Sequence, residues 1–112
     1  MDPEEIKQKS LALIKLLDEK VDKCSWRKNP LPHGDNSTIP TFTLKFESGS
    51  VVIGIETIYV YNKNSDCISE YKILPKDGPP SPIYILFRKV EEKVQGSIDA
   101  QIFLITEEVK KL

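Results

Sequence analysis

Apolar and polar residues alternate with a period of two over residues 41–61, which is the pattern of β-strands that bury one face. Turn signals at Ser48-Gly49 and Glu56-Thr57 divide this segment into three strands and predict an antiparallel meander. The apolar positions of the three strands are Phe42, Leu44 and Phe46, then Val51, Ile53 and Ile55, then Ile58 and Val60.

The turn positions also predict the register of the sheet. A two-residue turn at Ser48-Gly49 sets Phe46 opposite Val51 and puts every large apolar side chain of the first two strands on one face. A second tight turn at Glu56-Thr57 keeps the third strand's apolar residues on that same face. The sequence then predicts a fourth strand over residues 67–73, with a bulge or an irregular edge because its alternation is imperfect.

Helices are predicted at both ends of the chain. Asp2-Pro3 supplies an N-cap and a proline at the first helical position. Ser81 is expected to cap another helix that begins at Pro82. Gly96 is expected to end or kink this helix and Ser97 to cap the next, so two shorter helices are favoured over one straight rod. The helical stripes are Ile6, Leu13, Ile14, Leu16, Leu17 and Val21; then Ile83, Leu86, Phe87, Val90 and Val94; then Ile98, Ile102, Ile105 and Val109.

These elements predict a single α+β domain over residues 1–112. It consists of an N-terminal helix, a three- or four-stranded antiparallel meander, and two C-terminal helices packed on one sheet face. Packing on the sheet is the simpler interpretation of the first helix, and pairing of Leu11 and Leu16 with a partner is the alternative.

Charge and cysteine content narrow the classes of function. The chain has 16 basic and 17 acidic residues and a pI near 5.9, which disfavours a dedicated nucleic-acid binder. Cys24 and Cys67 do not make a disulfide framework, and the sequence shows neither a signal peptide nor a membrane span. We therefore expect a soluble, cytoplasmic protein that does not act at a membrane.

Candidate catalytic residues are few. His33 is the single histidine and lies two residues before Asp35, but a metal site needs further ligands and a nucleophile needs an oriented base. The sequence contains no phosphate-binding loop, dinucleotide fingerprint or nucleophile elbow. It therefore predicts no enzyme, no metal site and no cofactor, and a hydrolase-like enzyme that uses His33 is the third of three functional interpretations.

The predicted register points to a binding surface on the sheet face that is turned away from the helices. The candidate interface comprises Thr43, Lys45, Val52, Tyr59 and Tyr61. Tyrosines are enriched at protein interfaces, although an ordinary solvated sheet face gives the same pattern. The first interpretation is thus a non-enzymatic protein-interaction or accessory module, with a homodimer through this outer sheet face as its simplest form.

A second candidate surface surrounds Trp26. Lys23, Arg27 and Lys28 flank this side chain, so a nucleic-acid base or a partner's acidic segment could stack on it. In the alternative interpretation, Trp26 plugs the core and the cations complement the negative end of the first helix. Together with Lys20 these cations form a basic cluster, on which the second functional interpretation rests, a nucleic-acid-associated regulator.

Motifs in the strands and near Gly96 occur in a distinctive combination. Trp26 follows the N-terminal helix, residues 49–53 read GSVVI, and residues 59–62 read YVYN. In this combination the chain resembles a group of small uncharacterised bacterial proteins, which pair a GSVTIS-like strand with a YxLxVYN-like strand and close with an ARRxALGV-like segment. Residues 92–97, EKVQGS, replace that last motif here. The resemblance implies the fold and a bacterial origin and brings no established activity.

Overall fold

Two helices and one antiparallel sheet make up the computed structural model, which describes residues 2–29, 39–73 and 81–112. The predicted α+β class is confirmed. Helix α1 spans Pro3–Glu19 and is followed by a 3₁₀ turn at Val21–Lys23; helix α2 spans Pro82–Lys110. The strands are β1 (Arg27–Lys28), β2 (Phe42–Phe46), β3 (Gly49–Ile53), β4 (Thr57–Asn62) and β5 (Cys67–Lys72). His33 lies outside the described residues.

The sheet has five strands within the described residues, in the order β1-β2-β3-β4-β5. The predicted number of three or four is wrong because β1 pairs with β2, with Arg27 opposite Thr43 and Lys28 opposite Phe42. A strand of two residues is too short to show an alternating pattern, so the sequence gives no sign of it.

The predicted register is wrong by two residues. Phe46 lies opposite Gly49 rather than Val51, and the turn consists of Glu47 and Ser48. A shift of two residues preserves the face on which every side chain lies. Phe46 nevertheless is 52% exposed at the end of β2, although its position on the inner face predicted burial. The close approach of β4 requires a glycine at position 49, because a Cβ there would lie 2.1 Å from the Tyr61 carbonyl oxygen.

The second turn is shifted in the same way. The Gly54 backbone N–H donates to the Thr57 carbonyl at 2.8 Å, and Ile53 lies opposite Ile58. The predicted irregularity in the last strand is confirmed, because the register of β4 and β5 shifts between Val60 and Tyr61. This bulge lies at the edge of the sheet, where it interrupts a regular ladder.

The core lies between the sheet and the two helices. The rings of Phe42 on β2 and Phe87 on α2 are 5.5 Å apart and tilted by 55°. Trp26 is 8% exposed and belongs to this core. The other buried apolar residues are Ile14, Leu17, Val21, Leu44, Val51, Ile53, Ile58, Ile73, Ile83, Leu86 and Val90.

Helix α2 begins as the sequence predicts but does not end at Gly96. Its N-cap is Ser81, whose hydroxyl oxygen accepts from the Tyr84 N–H at 3.1 Å. The predicted pair of C-terminal helices is wrong, because α2 continues without a break for 29 residues to Lys110. A glycine inside a helix costs only about 1 kcal/mol relative to alanine, too little to stop a helix that gains a hydrogen bond with every residue.

Candidate protein-interaction surfaces

Helix α2 is too long for the sheet on which it packs. Its 29 residues extend about 43 Å, whereas strands of five or six residues extend about 17–20 Å. The molecule accordingly measures 60 × 34 × 33 Å, and its radius of gyration is 16.2 Å, against about 13 Å for a compact chain of this length. We call the projecting part, residues 95–112, the arm.

The predicted packing of this part of the helix on the sheet is wrong. The side chains of Ile98, Ile102, Ile105 and Val109 continue the helical stripe but are 36–59% exposed. The last fully buried residue of α2 is Val90. Because the sheet ends beneath the middle of the helix, the arm keeps an apolar stripe that its own sheet does not cover.

Lys93 fixes α2 to the domain just before the arm begins. Its Nζ donates to the Val21 carbonyl at 2.7 Å and to the Cys24 carbonyl at 2.6 Å, in the segment between α1 and β1. One turn earlier, Lys89 pairs with Asp18 on α1 at 3.0 Å. These contacts hold the first half of α2 in place and define where the helix leaves the domain.

The arm is apolar on every side at its middle. Residues 102–105 read IFLI and are 50–62% exposed, and successive helical residues point about 100° apart. The polar side chains around them bond within the helix: the Thr106 hydroxyl donates to the Ile102 carbonyl at 2.8 Å, and Lys110 pairs with Glu107 at 3.2 Å. These contacts support the helix and leave its apolar surface open.

A groove of about 310 Å³ lies at the base of the arm. Pro40, just before β2, and Phe42 on β2 form one wall, and Val94 and Ile98 of α2 form part of the other. Glu91, Glu92, Gln95 and Lys28 complete the lining. Since Ile98 also begins the exposed stripe, the groove and the stripe form one continuous apolar surface.

The outer sheet face brings the residues of the candidate interface into two rows. In one row Thr43, Val52 and Tyr59 lie side by side, between Arg27 on β1 and Glu70 on β5. Thr43, Val52 and Tyr59 are half-buried. This row is therefore apolar at its centre and charged at both ends.

The second row contains Lys45, Ser50, Tyr61 and Cys67. Burial raises the pKa of the Tyr61 hydroxyl above 10.0, and the neighbouring Cys67, Tyr59 and Glu70 add to the effect because they disfavour a further negative charge. Tyr61 is consequently neutral at physiological pH and can donate a hydrogen bond as well as accept one.

The structure divides the candidate surface around Trp26. The ring is buried in the core, and its Nε1 has no hydrogen-bond partner among the described residues. Arg27 lies on the outer sheet face, and Lys28 lies on the inner face beside the groove, since consecutive strand residues point to opposite sides. Lys20 and Lys23 are exposed at the end of α1 and in the 3₁₀ turn.

No group of three or more His, Cys, Asp or Glu side chains within residues 2–29, 39–73 and 81–112 could hold a metal ion. None of the described helices is long and apolar enough to cross a membrane. Comparisons with protein families, with curated proteins and with solved structures find no match.

Sequence reasoning missed the arm as a binding surface, although the sequence holds a signal for it. Residues 102–105 are four consecutive apolar residues in a helical segment, whereas a helix that packs on one sheet needs only one stripe. The apolar stripe alone cannot show that the arm is a binding surface, because its period is the same whether it packs on the chain's own sheet or on a partner.

Proposed function

We propose that this chain is a non-enzymatic protein-interaction module and that the arm is its binding surface. The observation that supports the proposal is the exposed apolar stripe of Ile98, Ile102, Ile105 and Val109, on a helix that extends beyond its own domain. Contiguous exposed apolar patches larger than a few hundred Å² are uncommon on monomeric proteins and mark interaction sites. An apolar stripe along one side of a helix is typical of a helix that packs on another element, so the partner supplies the apolar surface that the chain's own sheet does not.

The outer sheet face is the second candidate surface for the same function. Tyr59 and Tyr61 support it, because each combines a large apolar ring with a polar tip. They are half-buried among their neighbours, however, while Ile102 on the arm is 57% exposed. The arm therefore offers more apolar area to a partner.

No described contact favours the nucleic-acid alternative. The four cations of the basic cluster do not form one stripe, because Arg27 and Lys28 lie on opposite faces of the sheet. Phosphate-binding surfaces depend on cations gathered on one side of a protein.

Photo-crosslinking in cells of the source organism tests the proposal whatever the identity of the partner. A photoreactive phenylalanine analogue would replace Gln101 on the arm, Tyr59 on the outer sheet face, or Lys7 on the exposed side of α1 as the control. We expect a discrete protein adduct from position 101 and none from position 7. Adducts from position 59 alone, adducts to lipid alone, or no difference from the control would contradict the arm as the binding surface.

A further inference from the structure

We infer that the partner of the arm is a second copy of this chain, whose arm lies antiparallel along one apolar seam. The inference rests on the proposed function and names the partner. The exposed apolar residues of the arm recur at alternating intervals of four and three, which is the spacing along which two helices pair with knobs-into-holes packing. The residues of this seam are Ile98, Ile102, Ile105, Val109 and Leu112.

The exposed area of the seam lies at the lower limit for a specific pair. Its five residues are between 36% and 102% exposed, relative to the reference value for each residue type, and Leu112 is the most exposed of them. Two copies of the seam together expose on the order of 1,000 Å², which is about the smallest area expected of a specific interface. No rearrangement of the domain is needed, because the arm already projects from it.

The position of the domain selects the antiparallel direction. Pro40 and Lys28 lie on the same side of α2 as Ile98, where the seam begins. In a parallel pair, both domains would occupy this side at the same end of the seam and would compete for the same space. In an antiparallel pair, the domains lie at opposite ends of arms that are each about 27 Å long.

The antiparallel direction also matches the seam residues in layers. The layers are Ile98 with the partner's Val109, and Ile102 with the partner's Ile105, each repeated by the two-fold axis. Leu112 lies two residues beyond the end of α2, and in this direction it approaches Gln95 of the other copy, beside the groove lined by Pro40, Phe42 and Val94. The groove at the base of the arm thereby receives a large apolar side chain from the partner.

Phe103 and Leu104 provide a matched control because they lie outside the seam. They are as exposed as the seam residues, at 62% and 57%, but point to the other sides of the helix. Light scattering should give twice the chain mass of 12.8 kDa for the wild type and for the Phe103→Lys variant. The Ile102→Lys variant should show a two-fold lower mass and retain a folded domain.

Disulfide crosslinking tests the direction of the pair. In a background with Cys24→Ser and Cys67→Ser, the Ile98→Cys and Val109→Cys variants would be oxidised separately and as a mixture. We expect a crosslinked dimer in the mixture only, because residue 98 meets residue 109 of the partner. Crosslinking of the Ile98→Cys variant with itself would show a parallel pair and overturn the inference. A monomeric wild type would also overturn it, whereas the proposed function fails if position 101 yields no protein adduct beyond that of the position 7 control.

Discussion

Replacing Gly96 by Ala is expected to raise the helical content of the arm. Gly96 is exposed inside α2, and a Cβ added there meets nothing within 4 Å, so the substitution introduces no clash. Glycine is about 0.8–1.0 kcal/mol less favourable than alanine in a helix interior, which corresponds to roughly a five-fold change in the equilibrium between helix and coil. The whole of this difference should appear, because no described contact at Gly96 offsets it.

Far-ultraviolet circular dichroism at increasing temperature measures this effect. The comparison should be made in the Ile102→Lys, Ile105→Lys background, so that self-association of the arm does not mask the change. Ala100→Gly, at another exposed position of the arm, is the matched control and should lower helicity by a similar amount. The unfolding temperature of the domain should change little in both variants, since the arm lies beyond the core.

The opposite result for Gly96→Ala would refute the continuous helix. If Gly96 adopted a left-handed conformation between two helices, alanine would be strained there by about 1 kcal/mol or more, and helicity would fall. Ala100→Gly would lower helicity in either case, so only the sign at position 96 separates the two structures.

Three further predictions concern the core, the attachment of α2 and the outer sheet face. Phe42→Ala should lower the free energy of unfolding by about 3–5 kcal/mol in urea titrations, and Phe46→Ala, 52% exposed, by much less; equal losses would contradict the described core. Lys93→Met should lower the free energy of unfolding by about 1.5–3 kcal/mol, because it removes two charge-assisted hydrogen bonds. Lys89→Met removes only a partly exposed ion pair, worth at most about 1 kcal/mol. A larger loss for Lys89→Met than for Lys93→Met would contradict that attachment. Because the folded-state pKa of Tyr61 lies above its unfolded value of 10.0, the folded protein keeps a proton that the unfolded chain releases, and stability should fall as pH rises above about 10. Tyr61→Phe should reduce that decline, and an unchanged pH dependence would contradict the raised pKa.

The sequence predicted the faces of the sheet better than its register. Phe42 and Ile53 are buried as predicted, because a period of two survives any shift by an even number of residues. The register depends on which residues form the turn, and local preference placed Gly49 there. The structure uses Gly49 instead for the close approach of the Tyr61 carbonyl, a contact between strands that no local pattern reveals.

The candidate site was predictable only in part for a similar reason. Tyr59 and Tyr61 could be assigned to the outer face from alternation alone. The arm could not be recognised from its stripe, because hydrophobic periodicity identifies the side that is covered and not what covers it. Gly96 and Ser97 carry local signals for a helix end, but the free energy gained by propagating the helix outweighs them. Only the length of the uninterrupted helix shows that it extends beyond the sheet.

The bonds from Lys93 to the carbonyls of Val21 and Cys24 divide one helix into two levels of local stability. Backbone amides of α2 before this residue are expected to exchange their hydrogen with solvent only when the whole domain unfolds. Amides of the arm are expected to exchange whenever the helix frays from its C-terminal end. A helix that is continuous in its geometry thus belongs to two cooperative units. Burial of the arm against a partner would join these units into one, so that the same backbone hydrogen bonds would report association as a gain in protection.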